Sequence, residues 1–189
     1  MGNYLGFDTV GPITEEAAKD WWSDSPFSWM GYYLGGCCAT AGNDGWTTSI
    51  SYATLNSIGW GLRALFVGYQ QDGNCPRCTT TLTTSNATTL AQDGASNAAK
   101  LAAAAGFPAN ATIFLDVEDN GVLLGSAMQD YVKYWTEDIK NGGQYVPGIY
   151  TGPCIAHQLM DLYGDSFTDF WWIADYGTRQ WCQVKRIHK

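Results

Sequence analysis

The sequence has few basic residues and no long apolar run. Only ten of its 189 residues are Lys or Arg, against eighteen Asp and Glu, which gives a formal net charge of −8 at pH 7. Nucleic-acid binding needs clustered basic side chains that neutralise phosphates, so we expect no nucleic-acid partner. No apolar stretch approaches the ~20 residues that cross a bilayer, and we therefore expect no membrane span.

Sequence marks of common cofactors and serine nucleophiles are also absent. No apolar run is followed by G-x-G-x-x-G or G-x-x-x-x-G-K-[ST], and no G-x-S-x-G elbow occurs. The two histidines, His157 and His188, are far apart and form no metal-binding set. We therefore predict no cofactor and no metal.

The cysteine count points to an oxidising compartment. Six cysteines form an even set: Cys37, Cys38, Cys75, Cys78, Cys154 and Cys182. Together with the Asn-x-Thr sequons at Asn86 and Asn110, this set is typical of extracellular proteins. No basic segment followed by an apolar segment comes after Met1, so we expect the mature form of a secreted, disulfide-bonded glycoprotein.

The pairing of these cysteines is open, because six thiols allow fifteen combinations. We expect at least two disulfides, with Cys154–Cys182 as the preferred long pair and Cys75–Cys78 as a local pair. The two adjacent cysteines cannot easily bond to each other, so each needs a distant partner or one stays reduced. The C-P-R-C spacing also fits a redox or zinc motif, but it lies in a predicted loop, so a disulfide is favoured.

Short apolar runs alternate with longer helical stretches along the whole chain. Strands are predicted at 4–8, 29–34, 64–69, 112–118, 146–150 and 170–174, with a weaker candidate at 184–187. Helices are predicted at 14–22, 91–105, 127–140 and 153–163. This order indicates one α/β domain over 1–189 with a parallel sheet. Because nucleotide-binding marks are missing, a (β/α) TIM-like barrel is favoured over an open sheet.

Helix ends are predicted from capping residues. Ser126 and Gln129 have the spacing of a capping box at the start of the third predicted helix. Glycines at 106, 142–143 and 164 are expected to end the last three helices, since glycine adopts the left-handed conformation without strain.

Three acids are expected to meet at one end of the barrel. Side chains alternate along 112–118, so Asp116 and Glu118 share one face at the carboxyl end of the strand, where barrel active sites lie. Asp8 closes the first strand in the same phase. Asp175 follows the sixth strand, with an uncertain phase because both faces of that strand are apolar. The alternative is that each Asp caps the turn after its strand.

Aromatic side chains recur near the carboxyl ends of the predicted strands, at Tyr33, Tyr69, Tyr150, Trp172 and Tyr176. Flat rings with polar groups suit sugar faces, so we predict that these residues and Asp175 bind substrate. Core filling is the alternative for each ring taken singly.

Five segments carry a resemblance to a known family: Gly6-Phe-Asp8, Gly35-Gly36, Ile113-Phe-Leu-Asp-Val-Glu-Asp119, Val146-Pro-Gly-Ile-Tyr150 and Trp172-Ile-Ala-Asp-Tyr176. In this order and spacing they resemble the glycoside-hydrolase-like barrel domains of unknown function that are related to family 25 lysozymes. The resemblance implies a barrel that acts on or binds peptidoglycan-like glycans. It further implies Glu118 as general acid, Asp116 as its stabilising partner and Asp8 as a substrate-orienting group.

The chain departs from the lysozyme pattern at its end. The lysozymes have a seventh strand with a Gln-aromatic pair and an eighth strand with another Asp, whereas Arg186-Ile-His188 is followed here by Lys189 alone. We therefore expect a barrel that is irregular or incomplete at the C-terminal end.

Three functions fit the sequence, and they differ in how they use the acids. The first is hydrolysis of peptidoglycan or another amino-sugar polymer by the Asp/Glu pair. The second is a secreted barrel that binds a glycan or cell-wall polymer without turnover. The third is an extracellular structural or assembly subunit, which would explain the cysteines and glycines but give the acids no role. Oligomeric state is open in all three.

Overall fold

The computed structural model describes residues 4–40, 44–46, 49–71, 75, 77–118 and 122–174. Strands and helices alternate in the order β1 (Leu5–Phe7), α1 (Glu15–Asp24), β2 (Phe27–Gly35), α2 (Tyr52–Ile58), β3 (Gly61–Val67), α3 (Ala87–Ala105), β4 (Thr112–Val117), α4 (Ser126–Gly142), β5 (Val146–Thr151), α5 (Pro153–Tyr163) and β6 (Phe170–Ile173). The six strands predicted between residues 4 and 174 are present, and the further candidate at 184–187 lies outside the described residues.

The strands form one sheet in sequence order, from β1 to β6. Every neighbouring pair is parallel. Parallel strands run in the same direction, so all their carboxyl ends lie at one edge of the sheet, and a crossover returns the chain to the other edge each time. The predicted parallel sheet is thus confirmed, and residues that follow the strands are brought together.

The sheet curls strongly. Trp172 of β6 contacts Trp29 of β2, with ring centroids 4.9 Å apart, and also Phe114 of β4 at 5.6 Å. In a flat sheet β2 and β6 would lie roughly 19 Å apart, since strands are spaced by ~4.8 Å. The described strands therefore form a curled half-barrel. A closed barrel is not confirmed, because the sheet of the described residues is open between β1 and β6.

Two interior glycines make room for the tryptophans inside the curl. A Cβ atom on Gly6 would lie 2.0 Å from the ring of Trp29. A Cβ atom on Gly31 would lie 2.7 Å from a methyl group of Leu65 and 3.3 Å from the ring of Trp172. Glycine in a strand interior often marks such a close approach. The curl thus depends on small residues facing large rings.

The outer face of the sheet packs against the helices. Ile113, Leu115 and Val117 of β4 are fully buried, and Phe66 of β3 stacks on Trp135 of α4 at 6.3 Å. Helix α3 packs on α4 and buries the alanines at 91, 95, 98 and 102, which recur every three or four residues on one face. Truncating a buried Trp typically costs ~3–5 kcal/mol, so this layer contributes strongly to stability.

The predicted helix ends are partly correct. Gly106 ends α3 in the left-handed conformation, as expected, and α5 has the predicted bounds. The capping box at Ser126 is wrong, because Gly125 is the N-cap and Ser126 is already helical. Gln129 instead donates from Nε2 to the carbonyl of Leu124, at 2.6 Å.

Candidate active site at the carboxyl ends of the strands

Asp8 lies at the centre of a small hydrogen-bond network inside the curl. Its carboxylate accepts hydrogen bonds from the hydroxyls of Tyr33 on β2, at 3.4 Å, and Tyr150 on β5, at 3.3 Å. Burial raises the pKa of Asp8, although the two tyrosine hydroxyls oppose that change. Two of the aromatic residues predicted to bind substrate therefore hold the first acid in place.

Asp116 is the most deeply placed acid, with 3% of its side chain exposed. Burial raises its pKa well above the usual value, and the negative charges of Glu118 and Asp8 raise it further. Its Oδ1 atom is buried and has no hydrogen-bond partner within the described residues. A buried, unpartnered carboxyl oxygen is costly, and a donor supplied by a ligand would satisfy it.

Glu118 lies at the solvent side of the same group and is exposed. Its charge acts on Asp116, as does that of Asp8. The structure therefore brings together the three acids that the sequence predicts, at the carboxyl ends of β1 and β4. We call Asp8, Asp116 and Glu118 the acid cluster.

Gln70, which sequence reasoning missed, holds the end of β4 in place. Its Nε2 atom donates to the carbonyl of Asp116 at 2.7 Å, and its Oε1 atom accepts from the backbone N–H of Glu118 at 3.1 Å. On the other side, the hydroxyl of Thr151 donates to the carbonyl of Val117 at 2.7 Å. A polar residue three positions after the end of β3, beside the strand with the acids, was the available signal.

The other described aromatic residues predicted to bind substrate lie in two places, inside the curl and against the helix layer. Trp172 lies among the rings inside the curl and contacts Tyr150 at 5.1 Å. Tyr69 instead contacts Tyr131 of α4 at 5.4 Å, so it is directed toward the helix layer. Asp175 and Tyr176 lie outside the described residues.

The cysteines pair across two neighbouring loops. Disulfides join Cys37 to Cys78 and Cys38 to Cys75, so at least two disulfides form, as predicted. The local Cys75–Cys78 pair is wrong: β2 and β3 are adjacent, and the loops that follow them meet. Cys154 also takes part in a disulfide, while its predicted partner, Cys182, lies outside the described residues.

A metal would have one candidate position in the described part of the chain. The sulfur atoms of Cys37, Cys38 and Cys78 lie within 4.8 Å of one another, but disulfide bonds engage all three. Soft thiolate ligands are available there only after reduction.

The two sequons differ in their surroundings. The amide of Asn86 accepts from the N–H of Thr83 at 2.8 Å and donates to the carbonyl of Thr81 at 3.0 Å, so it organises its own loop. Asn110 is exposed and has a positive φ of 65°. Of the two side chains, Asn110 is the one more open to modification.

None of the helices in the described ranges has both the length and the apolar character needed to cross a bilayer.

A half-barrel of parallel strands with carboxyl groups gathered at the strand ends is a glycoside-hydrolase-like architecture. The chain belongs to the family of the Rv2525c-like, glycoside hydrolase-like domain, whose family model matches residues 19–189. None of the curated proteins matches significantly. Among solved structures, the chain is similar to a crystal structure of an uncharacterized B. stearothermophilus protein, with a TM-score of 0.60 and 15% identity over 92% of this chain and 75% of that one. At that identity the likeness concerns the fold alone.

Proposed function

We propose that this domain hydrolyses β-linked amino-sugar polymers of the peptidoglycan type. In this proposal Glu118 is the general acid, Asp116 is its stabilising partner and Asp8 orients the substrate. The observation that carries it is the unpartnered, buried Oδ1 atom of Asp116 beside two further carboxyl groups. The relation to family 25 lysozymes, from which the roles are taken, is part of the proposal.

The orphaned oxygen suits the acetamide group of an N-acetylated sugar. An acetamide N–H donates one hydrogen bond, and the buried Oδ1 atom of Asp116 lacks one. Glu118 then gives its proton to the leaving oxygen as the glycosidic C–O bond breaks, while the acetamide oxygen bonds to the anomeric carbon. Water opens this intermediate and returns a proton to Glu118.

The surroundings of Asp116 bear on its role as acceptor of the acetamide N–H. Burial and the negative charges of Glu118 and Asp8 favour the neutral form of Asp116. A hydrogen bond from the acetamide N–H favours the carboxylate, so we expect substrate binding to oppose the rise in the pKa of Asp116.

The same proposal extends to location and closure. The disulfides at the ends of β2 and β3, with the two sequons, support a secreted, glycosylated protein. Closure of the half-barrel into a full barrel, which the resemblance implies, is likewise part of this proposal.

The test is Glu118→Gln, which keeps the shape of the side chain but removes the transferable proton. We expect reducing-end release from purified cell walls or chitin-like polymers to fall by ~10²–10⁴-fold, the usual value of general acid catalysis. Glu137→Gln, on the exposed surface of α4, is the matched control and should leave turnover unchanged. Asp116→Asn should lower turnover with a smaller change in binding.

Glycan binding without turnover is the second candidate, and it is favoured by a cavity at Gln70 whose described lining consists of hydroxyl, amide and apolar side chains. If the wild-type protein binds these polymers but releases no reducing ends, the enzyme proposal is wrong and the glycan-binding proposal takes its place. Absence of both binding and release would leave only a structural role for the domain.

A further inference from the structure

A cavity of ≈ 480 Å³ is lined in part by Gln70, whose side chain also binds the backbone of Asp116 and Glu118. Its lining comes from residues 79–82 and 84, which we call the loop wall, from residues 125–128 at the start of α4, which we call the α4 wall, and from Tyr69, Gln70 and Gln71. The volume falls within the range of small-molecule sites in proteins. We call this space the threonine cavity.

None of the described residues that line the threonine cavity carries a charge, although the chain has a formal net charge of −8. Hydroxyl groups come from Thr79, Thr80, Thr81, Thr84 and Ser126, and apolar contact comes from Leu82 and Met128. Hydroxyls and amides around an apolar patch match a neutral sugar ring, which has polar edges and apolar faces.

The loop wall of the cavity is held in place by hydrogen bonds of Asn86 and by two disulfides. On the loop wall, Asn86 binds the N–H of Thr83 and the carbonyl of Thr81. Cys75 and Cys78, which also line the cavity, tie this loop to the end of β2. A site whose walls are preformed loses little conformational entropy when a ligand binds.

Gln70 connects the threonine cavity to the acid cluster. Its side chain lines the cavity and also binds the backbone of both Asp116 and Glu118. A polymer whose scissile bond lies at Glu118 can therefore extend past Gln70 and place a neighbouring sugar in the cavity. The shared residue Gln70 therefore links the cavity to the acid cluster and favours one continuous binding site over two separate sites.

We propose that the threonine cavity is a binding subsite for an uncharged sugar unit of the glycan whose cleavage is assigned to the acid cluster. This inference rests on the proposed function for its substrate class. The binding step and the hydrolytic step are nevertheless separable by experiment.

The experiment measures binding of tetra-N-acetylchitotetraose by calorimetry in the Glu118→Gln background, where turnover is suppressed. Thr84→Trp fills the cavity from the loop wall, and we expect it to raise Kd by about tenfold or more. Thr89→Trp, an exposed position on α3 outside the cavity, is the matched control and should leave Kd within about twofold. Ala127→Phe fills the cavity from the α4 wall and covers the case in which Thr84→Trp fails to fold.

The outcomes separate the two proposals. Loss of binding in Thr84→Trp or Ala127→Phe supports the subsite even if the wild type releases no reducing ends, in which case only the enzyme proposal fails. Unchanged affinity in both folded variants overturns the subsite even if the wild type is an active hydrolase. Absence of any oligosaccharide binding in the Glu118→Gln background overturns it as well.

Discussion

Gln70 and Gln71 are neighbours in the chain, yet their side chains support two regions that are built differently. Gln70 binds the backbone of Asp116 and Glu118 and so supports the acid cluster. Gln71 binds the carbonyl of Leu123 and the N–H of Gly125, just before α4, and so supports the threonine cavity. Both side chains line the cavity, but their hydrogen bonds support different segments, so we expect single substitutions to weaken the two regions to different extents.

The two regions also differ in the range of the contacts that form them. In the acid cluster, Asp8 and Tyr150 are 142 positions apart in sequence and meet only because the sheet curls. In the threonine cavity, Asn86 binds residues three and five positions away, and disulfides supply the longer links. The cluster therefore depends on the whole fold, whereas the cavity depends on a stapled loop.

The largest expected effect comes from removing both disulfides of the cavity wall, by replacing Cys37, Cys38, Cys75 and Cys78 with Ser. We expect a loss of ~2–5 kcal/mol in the free energy of unfolding, the usual range for native disulfides. Removing either pair alone should cost well under half of that. The two bridges close nearly the same loop, with sequence separations of 41 and 37, so one already restricts most of the unfolded chain.

Denaturant unfolding of the two single-pair variants and the four-serine variant forms a double-mutant cycle. The matched control replaces Cys154 and Cys182, and it should leave oligosaccharide affinity unchanged while the four-serine variant loses it. Additive costs of the two pairs would contradict the shared-loop argument.

The disulfide pairing shows where sequence reasoning stops. The six strands and the shared face of Asp116 and Glu118 follow from alternation, which is a local property of the chain. The partners of Cys37 and Cys38 depend on how the loops after β2 and β3 meet, which alternation within each strand does not specify. A local Cys75–Cys78 pair was therefore predicted, and it is wrong.

Three other differences between the sequence-based predictions and the structure also have identifiable causes. Helix α2 was not predicted because its seven residues, Tyr52–Ile58, give little periodicity, although Ser51 caps it. The capping box at Ser126 failed because Gln71 and Gly125 meet through a contact between distant segments. Tyr69 has the sequence context of Tyr33 and Tyr150, but it faces Tyr131 of α4 rather than Asp8.

An intermediate effect is expected from the two glutamines. Gln70→Leu removes both hydrogen bonds at the end of β4, and we expect kcat for reducing-end release to fall by about tenfold, with a smaller change in KM. Gln71→Leu should instead weaken oligosaccharide binding, because the start of α4 loses its support. Kinetics and calorimetry on the two variants provide the comparison, since each serves as the control for the other.

Gln70→Asn and Gln71→Asn refine the comparison of the two Leu variants. Each keeps the amide group but shortens the side chain, so each should behave like the corresponding Leu variant if the position of the amide matters. Each should behave like the wild type if only the polarity of the side chain matters. Equal losses of turnover and binding in Gln70→Leu and Gln71→Leu would show that the two regions are not independent.

The smallest expected effect concerns stability and tests the charge of the acid cluster. The pKa of Asp116 is raised in the folded state by burial first, then by Glu118 and Asp8, while in the unfolded chain it lies near the ordinary 3.8. Between these two pKa values the folded protein binds more protons than the unfolded chain, so stability falls as pH rises through that window.

Asp116→Asn cannot ionise and avoids this loss, so it should be more stable than the wild type above the window, and the difference should shrink as pH falls toward 3.8. For a domain of this size each kcal/mol changes Tm by ~2–4 °C, so we expect a measurably higher Tm for Asp116→Asn above the window. Thermal unfolding across the pH range measures it, with Asp161→Asn on the exposed surface of α5 as the control without such a pH-dependent difference. If Asp116→Asn were less stable than the wild type at every pH, the buried carboxyl group would be satisfied in its charged form, and its assignment as an unpartnered site for a substrate N–H would be wrong.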